Sequence, residues 1–174
     1  PPECEAYVWY APSTDQVVIH DPQVSAKSYH SNNPAHGPQN AKLFTTKTAT
    51  QYGGWSADSN SLGQWIQMDF GQPLTVSGIV TQGREDVKQW VTKYHVQVAV
   101  DENCVVFEYL EDQGSTLEFE ANIDQNSLVE NWVDNVVTRC VRIWPTSWRG
   151  GISMRFDIMA CVEPVTTTST SSSS

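Results

Sequence analysis

The amino-acid sequence predicts an all-β domain, a sandwich or a barrel, and three observations lead to that prediction. Apolar and polar residues alternate with a period of two through most of the chain, which is the pattern of strands with one buried face. Clusters of Gly, Pro, Asn and Asp separate the alternating runs. Only "QNSLVENWV" is a candidate for a turn or two of helix. About seven short strands divided by turns are typical of sandwiches and barrels.

Five runs show the alternation most clearly, and their apolar residues are expected to face the core. The residues between them, including Cys140, Arg155 and Asp157, are expected to point away from it. "LTVSGIVT" and "VVFEYL" fill the gaps more loosely. The residues expected inside are Ile66, Met68 and Phe70 in "WIQMDF"; Tyr94, Val96, Val98 and Val100 in "KYHVQVAV"; Leu117, Phe119 and Ala121 in "TLEFEA"; Val137, Val141 and Ile143 in "VTRCVRI"; and Ile152, Met154, Phe156, Ile158 and Ala160 in "ISMRFDIMA".

Two segments depart from the alternating pattern. Residues 25–61 are polar and dense in Asn, Pro, Gly and Ser, and a compact domain rarely carries so long an irregular stretch without using it. This stretch is the first candidate for a working surface. After Cys161 the composition shifts to "VEPVTTTSTSSSS", which cannot build a core. We therefore divide the chain into a domain at 1–162 and a Ser/Thr-rich linker or mucin-like, O-glycosylated stalk at 163–174.

Charge and cysteine content restrict the function classes. The 174 residues carry a formal net charge of −10, which disfavours nucleic acid and anionic membranes as partners because both attract a positive field. No apolar run is long enough to span a bilayer. No two of the four cysteines form a CxxC pair, so a zinc ribbon is not expected. An even cysteine count with one pair at the two ends predicts an oxidising compartment, and hence a secreted protein or the extracellular part of a cell-surface protein.

The sequence does not predict an enzyme. Glu85 and Asp86 are adjacent, so they would splay apart, whereas paired acid/base catalysis needs two carboxylates facing one bond. His30, His36 and His95 lack metal-site spacing and are expected on the surface. No nucleophile elbow, phosphate loop or zinc-protease motif occurs. No cofactor or metal is therefore expected. Calcium, through Asp58, Asn60 and nearby carbonyls, is kept as an alternative that no motif supports.

Aromatic side chains are the other candidates for ligand contact, because their faces stack on sugars and cations. Trp90 and Trp148 lie next to predicted strands and are expected to close the ends of the barrel. Trp55 is a further candidate for a ring on which a ligand could stack. Tyr29 lies inside the polar stretch and is expected to be exposed.

Three motifs, in order, resemble the discoidin domain, also called the coagulation factor V/VIII type C domain. They are "LGQWIQMDFGQPLTVSGIVTQGREDVKQWVTKYHVQV", "CVRIWPTSW" and "GISMRFDIMAC", and the resemblance runs from about Cys4 to Cys161. It implies a jelly-roll β-barrel or sandwich of about eight antiparallel strands in the galactose-binding-like class. It also implies a disulfide between Cys4 and Cys161. A second disulfide, Cys104–Cys140, is expected from the cysteine count and the compartment alone.

The resemblance implies a recognition module whose ligand-binding loops lie at one end of the barrel. Here those loops correspond to residues 28–38, about 45–54, and 83–89. Arg84 to Asp86 form the turn of the third loop. Of the three apolar residues that could serve as membrane spikes, Leu43, Phe44 and Tyr52, Leu43 is expected to pack inward.

We therefore predict cell adhesion through a glycan or a cell-surface glycoprotein, in a lectin-like manner. The alternatives are phosphatidylserine-dependent membrane attachment, which the net charge disfavours, and binding of an extracellular-matrix or receptor protein. No nucleic-acid partner is expected. Tyr29 and Arg84 are expected outside the core, so that removing both side chains would abolish binding without unfolding the barrel. The predicted ligand-binding residues are Tyr29, His30, Asn32, Asn33, Tyr52, Arg84 and Glu85.

Overall fold

The computed structural model describes residues 3–11, 17–19 and 21–162. They form eleven strands and three short 3-10 turns. The turns span His30–Asn32, Pro34–His36 and Pro38–Ala41. The strands are β1 (Glu3–Tyr7), β2 (Gln23–Ala26), β3 (Trp55–Ser56), β4 (Ile66–Gln82), β5 (Trp90–Ala99), β6 (Phe107–Tyr109), β7 (Glu111–Asp112), β8 (Ser115–Thr116), β9 (Phe119–Glu120), β10 (Val129–Arg149) and β11 (Ser153–Val162).

The sheet is antiparallel and is built around two long strands. Its main path runs β1-β11-β4-β10-β5-β6, while β2 pairs with β4, β3 with β11 and β9 with β5. The strands β7 and β8 form a separate small hairpin. The predicted all-β class is confirmed. The long polar segment before β4 contains the three 3-10 turns and the short strand β3. Most of its backbone is irregular.

The core follows the predicted alternation along most strands. Ile66, Met68 and Tyr94 have no solvent exposure, and Val96 has 1%. Trp90 is buried and Trp148 packs half-buried against the core, so neither is an exposed platform for a ligand. The side chain of Val100 is 54% exposed, contrary to the pattern, because β5 has already ended at Ala99.

The alternation changes phase inside β10, where the sequence pattern gave the wrong orientation. The pairing of β10 with β4 slips between Thr138 and Cys140. Thr138 pairs with Leu74 and Cys140 with Asp69, so β4 carries extra residues at this point and the pairing before it is out of phase with the pairing after it. Val137, expected inside, is 66% exposed, whereas Thr138, expected outside, is buried. Cys140 is also buried, although it projects from the same face of β10 as Arg142, where it is bonded to Cys104.

The strand β11 is buried on both faces, although its sequence alternates. Arg155 is 1% exposed and Asp157 is fully buried, so the expectation that both point away from the core was wrong. The Asp157 carboxylate accepts backbone hydrogen bonds from Val8, Trp9 and Tyr10. These bonds fasten the segment after β1 onto β11. Burial raises the pKa of the Asp157 carboxyl to about 7, and the N–H donors oppose that shift.

Several smaller expectations have a clear outcome. The segment "QNSLVENWV" is not helical but bends and then enters β10. Leu43 is 2% exposed and packs inward as expected, whereas Phe44 is 46% exposed. Both predicted disulfides, Cys4–Cys161 and Cys104–Cys140, are formed. None of the helices in the described ranges has the length and apolar character needed to cross a membrane. The predicted stalk at 163–174 lies outside the described residues.

Candidate functional site

Three loops meet at one end of the barrel and are joined by hydrogen bonds. The backbone N–H of Tyr52 donates to the carbonyl oxygen of Ala35 at 2.9 Å, which ties the second loop to the first. The N–H of Glu85 donates to the carbonyl oxygen of Gly53 at 2.9 Å, which ties the third to the second. Gly53 permits this approach, since a Cβ at that position would lie 2.7 Å from the Cβ of Glu85. The loops expected to gather at this end therefore do so.

A buried arginine in β11 also forms hydrogen bonds to the backbone at this end of the barrel. Arg155 donates from Nε to the carbonyl oxygen of Gly83 at 2.7 Å and from Nη1 to that of Thr45 at 3.0 Å. Its Nη2 donates to the carbonyl oxygen of Gln125 and to Oδ1 of Asn126, at 2.7 and 2.9 Å. Burial lowers the pKa of Arg155 to about 10. One side chain thus fixes three separate segments of irregular backbone.

A cleft of about 420 Å³ opens between these loops and the start of β11. This volume is within the range of small-ligand sites. Its lining mixes aromatic rings with hydroxyl, amide and charged groups, and it draws on four distant parts of the sequence. The lining residues are His30, His36, Tyr52, Ser56, Ala57, Asp58, Asn60, Arg84, Gln89, Gly151, Ile152 and Ser153.

Arg84 lies in this lining, but its charge is already paired. Its Nε and Nη2 donate to the two carboxylate oxygens of Asp86 at 2.9 and 3.0 Å. Its Nη1 donates to Ser56 Oγ at 3.3 Å and to Gln89 Oε1 at 3.2 Å. Burial raises the pKa of Asp86, but the hydrogen bonds from Arg84 and from Gly53 N–H outweigh burial and hold it below its usual value. Because Arg84 is only 7% exposed, the expectation that it lies outside the core was wrong.

Two histidines and a tyrosine form the aromatic side of the cleft. The rings of His36 and Tyr52 are stacked, with centroids 4.0 Å apart and planes 7° apart. His30 meets His36 edge-on at 4.9 Å. The Arg84 guanidinium lies 4.8 Å from the centroid of Tyr52. Lys47 Nζ lies 4.7 Å from the same centroid, so the Tyr52 ring is held in place by His36 and by two cationic side chains.

His36 is a buried neutral base rather than the surface residue that was expected. It is 7% exposed, and burial lowers its pKa, with Arg84 and His30 acting in the same direction. Its Nδ1 has no hydrogen-bond partner among the described residues. Because Arg84 and His30 are close neighbours, protonation of His36 would add a second positive charge beside the Arg84 guanidinium.

Hydroxyl and amide groups form the polar side of the cleft. The hydroxyls of Ser56 and Ser153 lie 2.6 Å apart, and Ser153 donates to Gln89 Oε1 at 2.9 Å. Asn60 Oδ1 accepts from the backbone N–H of Ile152 at 2.9 Å. The amide oxygens of Gln89 and Asn60 are thus occupied, while their amide nitrogens donate to no group in the described ranges. These nitrogens are available to a hydroxyl-bearing ligand.

The predicted ligand-binding residues divide into two groups. His30, Tyr52 and Arg84 line the cleft. The other four, Tyr29, Asn32, Asn33 and Glu85, do not.

The structure gives these four residues other surroundings. Tyr29 was expected to be exposed but packs half-buried against the main core. Asn33 caps the following 3-10 turn by accepting from Ala35 N–H at 3.0 Å, and Asn32 is exposed beside it. Glu85 accepts from the backbone N–H of Lys47 at 2.9 Å. The geometry therefore assigns local structural contacts to Tyr29, Asn33 and Glu85.

The sequence did not point to Ser56, Gln89 or Ser153 as site residues. They come from β3, the third loop and β11, which meet only through long-range pairing, including Ser56 opposite Ser153. Gly150 and Gly151 stand just before β11. A Cβ at Gly151 would lie 3.1 and 3.4 Å from Gln89 and Asn60, so the glycine leaves room for both amides.

The oxygens considered for calcium also have protein partners. Asp58 Oδ1 accepts from the backbone N–H of Ser31 at 3.0 Å, as Asn60 Oδ1 does from Ile152. The described residues bring together one other group of metal-ligand types, Asp69 with Cys104 and Cys140. The two sulfurs of that group are bonded to each other, so they offer no thiolate.

Comparisons with known proteins agree with this architecture. The family model described as the F5/8 type C domain matches residues 23–158. Human retinoschisin is 34% identical over 109 residues, which are 62% of this chain and 49% of retinoschisin. The chain thus spans about half the length of this relative.

Two solved structures share the fold at lower identity. Discoidin II from Dictyostelium discoideum superposes with a TM-score of 0.73 at 23% identity, covering 82% of this chain and 56% of that chain. The family 32 CBM from C. perfringens NanJ, in complex with galactose, gives a TM-score of 0.55 at 17% identity. That match covers 80% of this chain and 93% of the other. At such identities the likeness shows the fold alone.

Proposed function

The chain belongs to the F5/8 type C domain family, and from that premise we propose that it is a non-enzymatic extracellular recognition module for a neutral glycan, free or carried by a glycoprotein. The binding site in this proposal is the cleft lined by His30, Tyr52, Asn60 and Gln89. Two disulfides fit an oxidising compartment outside the cell.

One observation carries the proposal: the cleft joins a flat aromatic stack to unpaired amide donors while its strongest charge is neutralised internally. Sugars offer C–H faces for aromatic rings and hydroxyls for amides. The Arg84–Asp86 pair has both oxygens of the carboxylate engaged, and Asp58 is a further carboxylate in the lining, so the cleft offers no unpaired arginine to an anionic ligand. A neutral, hydroxyl-rich ligand matches this combination best. The galactose complex of the family 32 CBM supports the choice of a galactose-type sugar as the first probe.

The test compares two aromatic truncations at the same end of the barrel. Tyr52→Ala removes half of the stack that lines the cleft, whereas Phe44→Ala removes an exposed ring outside the cleft. On an array of neutral galactosides, Tyr52→Ala should weaken binding by about tenfold or more, and Phe44→Ala should bind as the wild type does. Absence of any neutral-glycan binding by the folded wild-type protein would refute the proposal.

A second candidate, attachment to phosphatidylserine membranes, rests on Phe44. Its ring is 46% exposed and lies 4.8 Å from the ring of Tyr10. Its backbone N–H donates to Gln82 Oε1 at 2.9 Å, which fixes it beside the end of β4. Exposed aromatic side chains at loop ends insert into membrane interfaces. Flotation with phosphatidylserine vesicles in physiological salt, lost in Phe44→Ala and kept in Tyr52→Ala, would favour this candidate over the glycan.

A further inference from the structure

The outer face of the sheet carries a row of polar and aromatic side chains away from the cleft. Gln67 of β4 lies opposite Arg142 of β10, Arg142 lies opposite Gln97 of β5, and Gln97 lies opposite Tyr109 of β6. Trp144 projects from the same side of β10 as Arg142, two residues further on. We call these residues, with Trp65 and Phe107, the outer-face row. It shares no residue with the cleft.

Arg142 lies at the centre of the row, clamped between two aromatic rings. Its guanidinium carbon is 4.2 Å from the ring centroid of Trp65 and 3.9 Å from that of Phe107. Its Nε donates to Gln67 Oε1 at 2.6 Å. Among the described residues no group accepts from either Nη, and neither Nη is a buried atom. The guanidinium therefore has free donors that reach solvent, on a rigidly held side chain.

Among the described residues the charge of Arg142 has no carboxylate partner. The buried Arg155 also lacks an ion pair, but its guanidinium donates to loop carbonyls, whereas both Nη groups of Arg142 are without acceptors. Arg84 pairs with Asp86 and Arg139 with Asp69. Burial lowers the pKa of Arg142, and no acidic group offsets that effect. A partly buried cation without a counter-charge costs folding free energy. An external anion would supply the acceptor and the counter-charge that the described residues do not give Arg142.

Aromatic rings extend the row on both sides of Arg142. The ring centroids of Trp65 and Trp144 are 6.5 Å apart, and those of Trp144 and Tyr109 are 6.3 Å apart. The Trp144 indole is held in place because Nε1 donates to Gln97 Oε1 at 2.8 Å. Fixed aromatic faces on a sheet are suited to the C–H faces of sugar rings.

The Cys104–Cys140 disulfide braces one wall of the row. Cys140 lies two residues before Arg142 on β10, and Cys104 lies three residues before Phe107. The bond therefore holds the segment that leads into β6 against β10. The disulfide therefore helps the contact between the two side chains to keep the Phe107 ring over the Arg142 guanidinium.

We propose that the outer-face row is a second binding site, selective for a saccharide that bears a carboxylate. The two free Nη groups of Arg142 form the fork that matches the two oxygens of a carboxylate. The Trp65 and Trp144 rings take the apolar faces of the sugar, and the Gln97 amide nitrogen donates to a hydroxyl. This site accepts an acidic sugar, whereas the cleft accepts a neutral one.

The experiment measures binding of a short oligogalacturonate and of a neutral galacto-oligosaccharide of equal length to the whole chain. The expected readouts are quenching of tryptophan fluorescence and a calorimetric isotherm that weakens with added salt. Arg142→Gln should weaken oligogalacturonate binding by about tenfold or more, and Arg142→Lys should weaken it less, because Lys keeps the charge and loses the fork. Arg149→Gln is the matched control, since Arg149 is an exposed arginine on the same strand and its loss changes net charge equally.

The outcomes distinguish binding at the outer-face row from binding at the cleft. Loss of acidic-sugar binding in Arg142→Gln, with Tyr52→Ala and Arg149→Gln unaffected, supports the second site whether or not the cleft binds a neutral sugar. Equal loss in Arg142→Gln and Arg149→Gln would overturn it, because general charge would explain the binding. Tight binding of the neutral oligosaccharide at this face, or preference for an acidic peptide over the uronate, would overturn it as well. Unchanged thermal unfolding of Arg142→Lys confirms that the comparison is made on folded protein.

Discussion

Arg155 of β11 donates from Nε to the carbonyl oxygen of Gly83 at 2.7 Å, and this contact joins the last strand to the loop that carries the Arg84–Asp86 pair. Gly83 also has its own constraint, since a Cβ there would lie 2.7 Å from the carbonyl oxygen of Asp124. The cleft is thus positioned by a buried cation that satisfies loop carbonyls. Loops with this kind of support hold their geometry without a ligand.

We first predict that Arg155→Met destabilises the whole domain. The substitution keeps an apolar stem but leaves the carbonyl oxygens of Thr45, Gly83 and Gln125 without this donor. Unsatisfied buried carbonyls of this kind should lower the free energy of unfolding by about 3 to 5 kcal/mol. Urea denaturation measures it, with the exposed Arg149→Met as control. A midpoint equal to that of the wild type would show that Arg155 does not support the loops.

Arg84→Ala is predicted to be a stability variant as well as a binding variant. It would leave Asp86 without its bidentate partner, although the Asp86 side chain is only 10% exposed. The free energy of unfolding should fall by about 2 to 4 kcal/mol. A double-mutant cycle with Asp86→Ala measures the pair directly, and a coupling energy of about 1 to 3 kcal/mol is expected. Strictly additive effects of the two substitutions would contradict the pairing.

The lowered pKa of His36 predicts that stability depends on pH through this residue. The folded protein favours neutral His36, whereas the unfolded chain protonates near the usual value of 6.5. The unfolded state therefore binds more protons just below that pH, so the contribution is complete above it and declines as the pH falls. His36→Phe keeps a ring against Tyr52 and removes the titration.

The measurement is the difference in free energy of unfolding between wild type and His36→Phe, from pH 7.5 down to pH 5. The difference isolates His36 from Asp157, whose raised pKa acts in the opposite direction over part of this range. We expect the wild type to lose stability relative to the variant as the pH falls. A difference that is flat across this interval would mean that His36 protonates equally in both states.

The sequence predicted the fold well because strand alternation and turn residues act locally. Ile66, Met68 and Tyr94 face the core where the period of two places them. The same rule failed at Val137, because the pairing of β10 with β4 is irregular between Thr138 and Cys140, and the extra residues lie on β4 rather than in the sequence of β10 itself. It also failed at Arg155 and Asp157. Polar residues on a strand are normally solvated, and only the loops folded over β11 reveal that these two are buried and satisfied.

The candidate site was only partly predictable for a related reason. His30, Tyr52 and Arg84 could be chosen because they lie in polar loops at one end of the barrel. Ser153 could not, since it enters the cleft through its pairing with Ser56, 97 residues away in sequence. The stacking of His36 on Tyr52 is equally a tertiary contact, and it turns a residue expected at the surface into a buried wall of the cleft.

The last prediction concerns the two disulfides, which should contribute to stability unequally and to binding differently. Cys4–Cys161 closes a loop of 157 residues and Cys104–Cys140 one of 36. Constraint of the unfolded chain grows with the logarithm of loop length, which gives about 5 kcal/mol for the first bond and about 4 kcal/mol for the second. The paired substitutions Cys4→Ala with Cys161→Ala, and Cys104→Ala with Cys140→Ala, should lower the free energy of unfolding in that order in urea denaturation.

Binding should distinguish the two pairs more sharply than stability does. The Cys104–Cys140 bond braces Phe107 over Arg142, so its removal should weaken oligogalacturonate binding while leaving neutral galactosides unaffected at the cleft. Removal of Cys4–Cys161 should leave both affinities near the wild-type values at temperatures where the variant stays folded, because that bond joins β1 to β11 and contributes no residue to either site. Equal loss of acidic-sugar binding in both paired variants would show that general loosening of the barrel, rather than the brace at Phe107, controls the outer face.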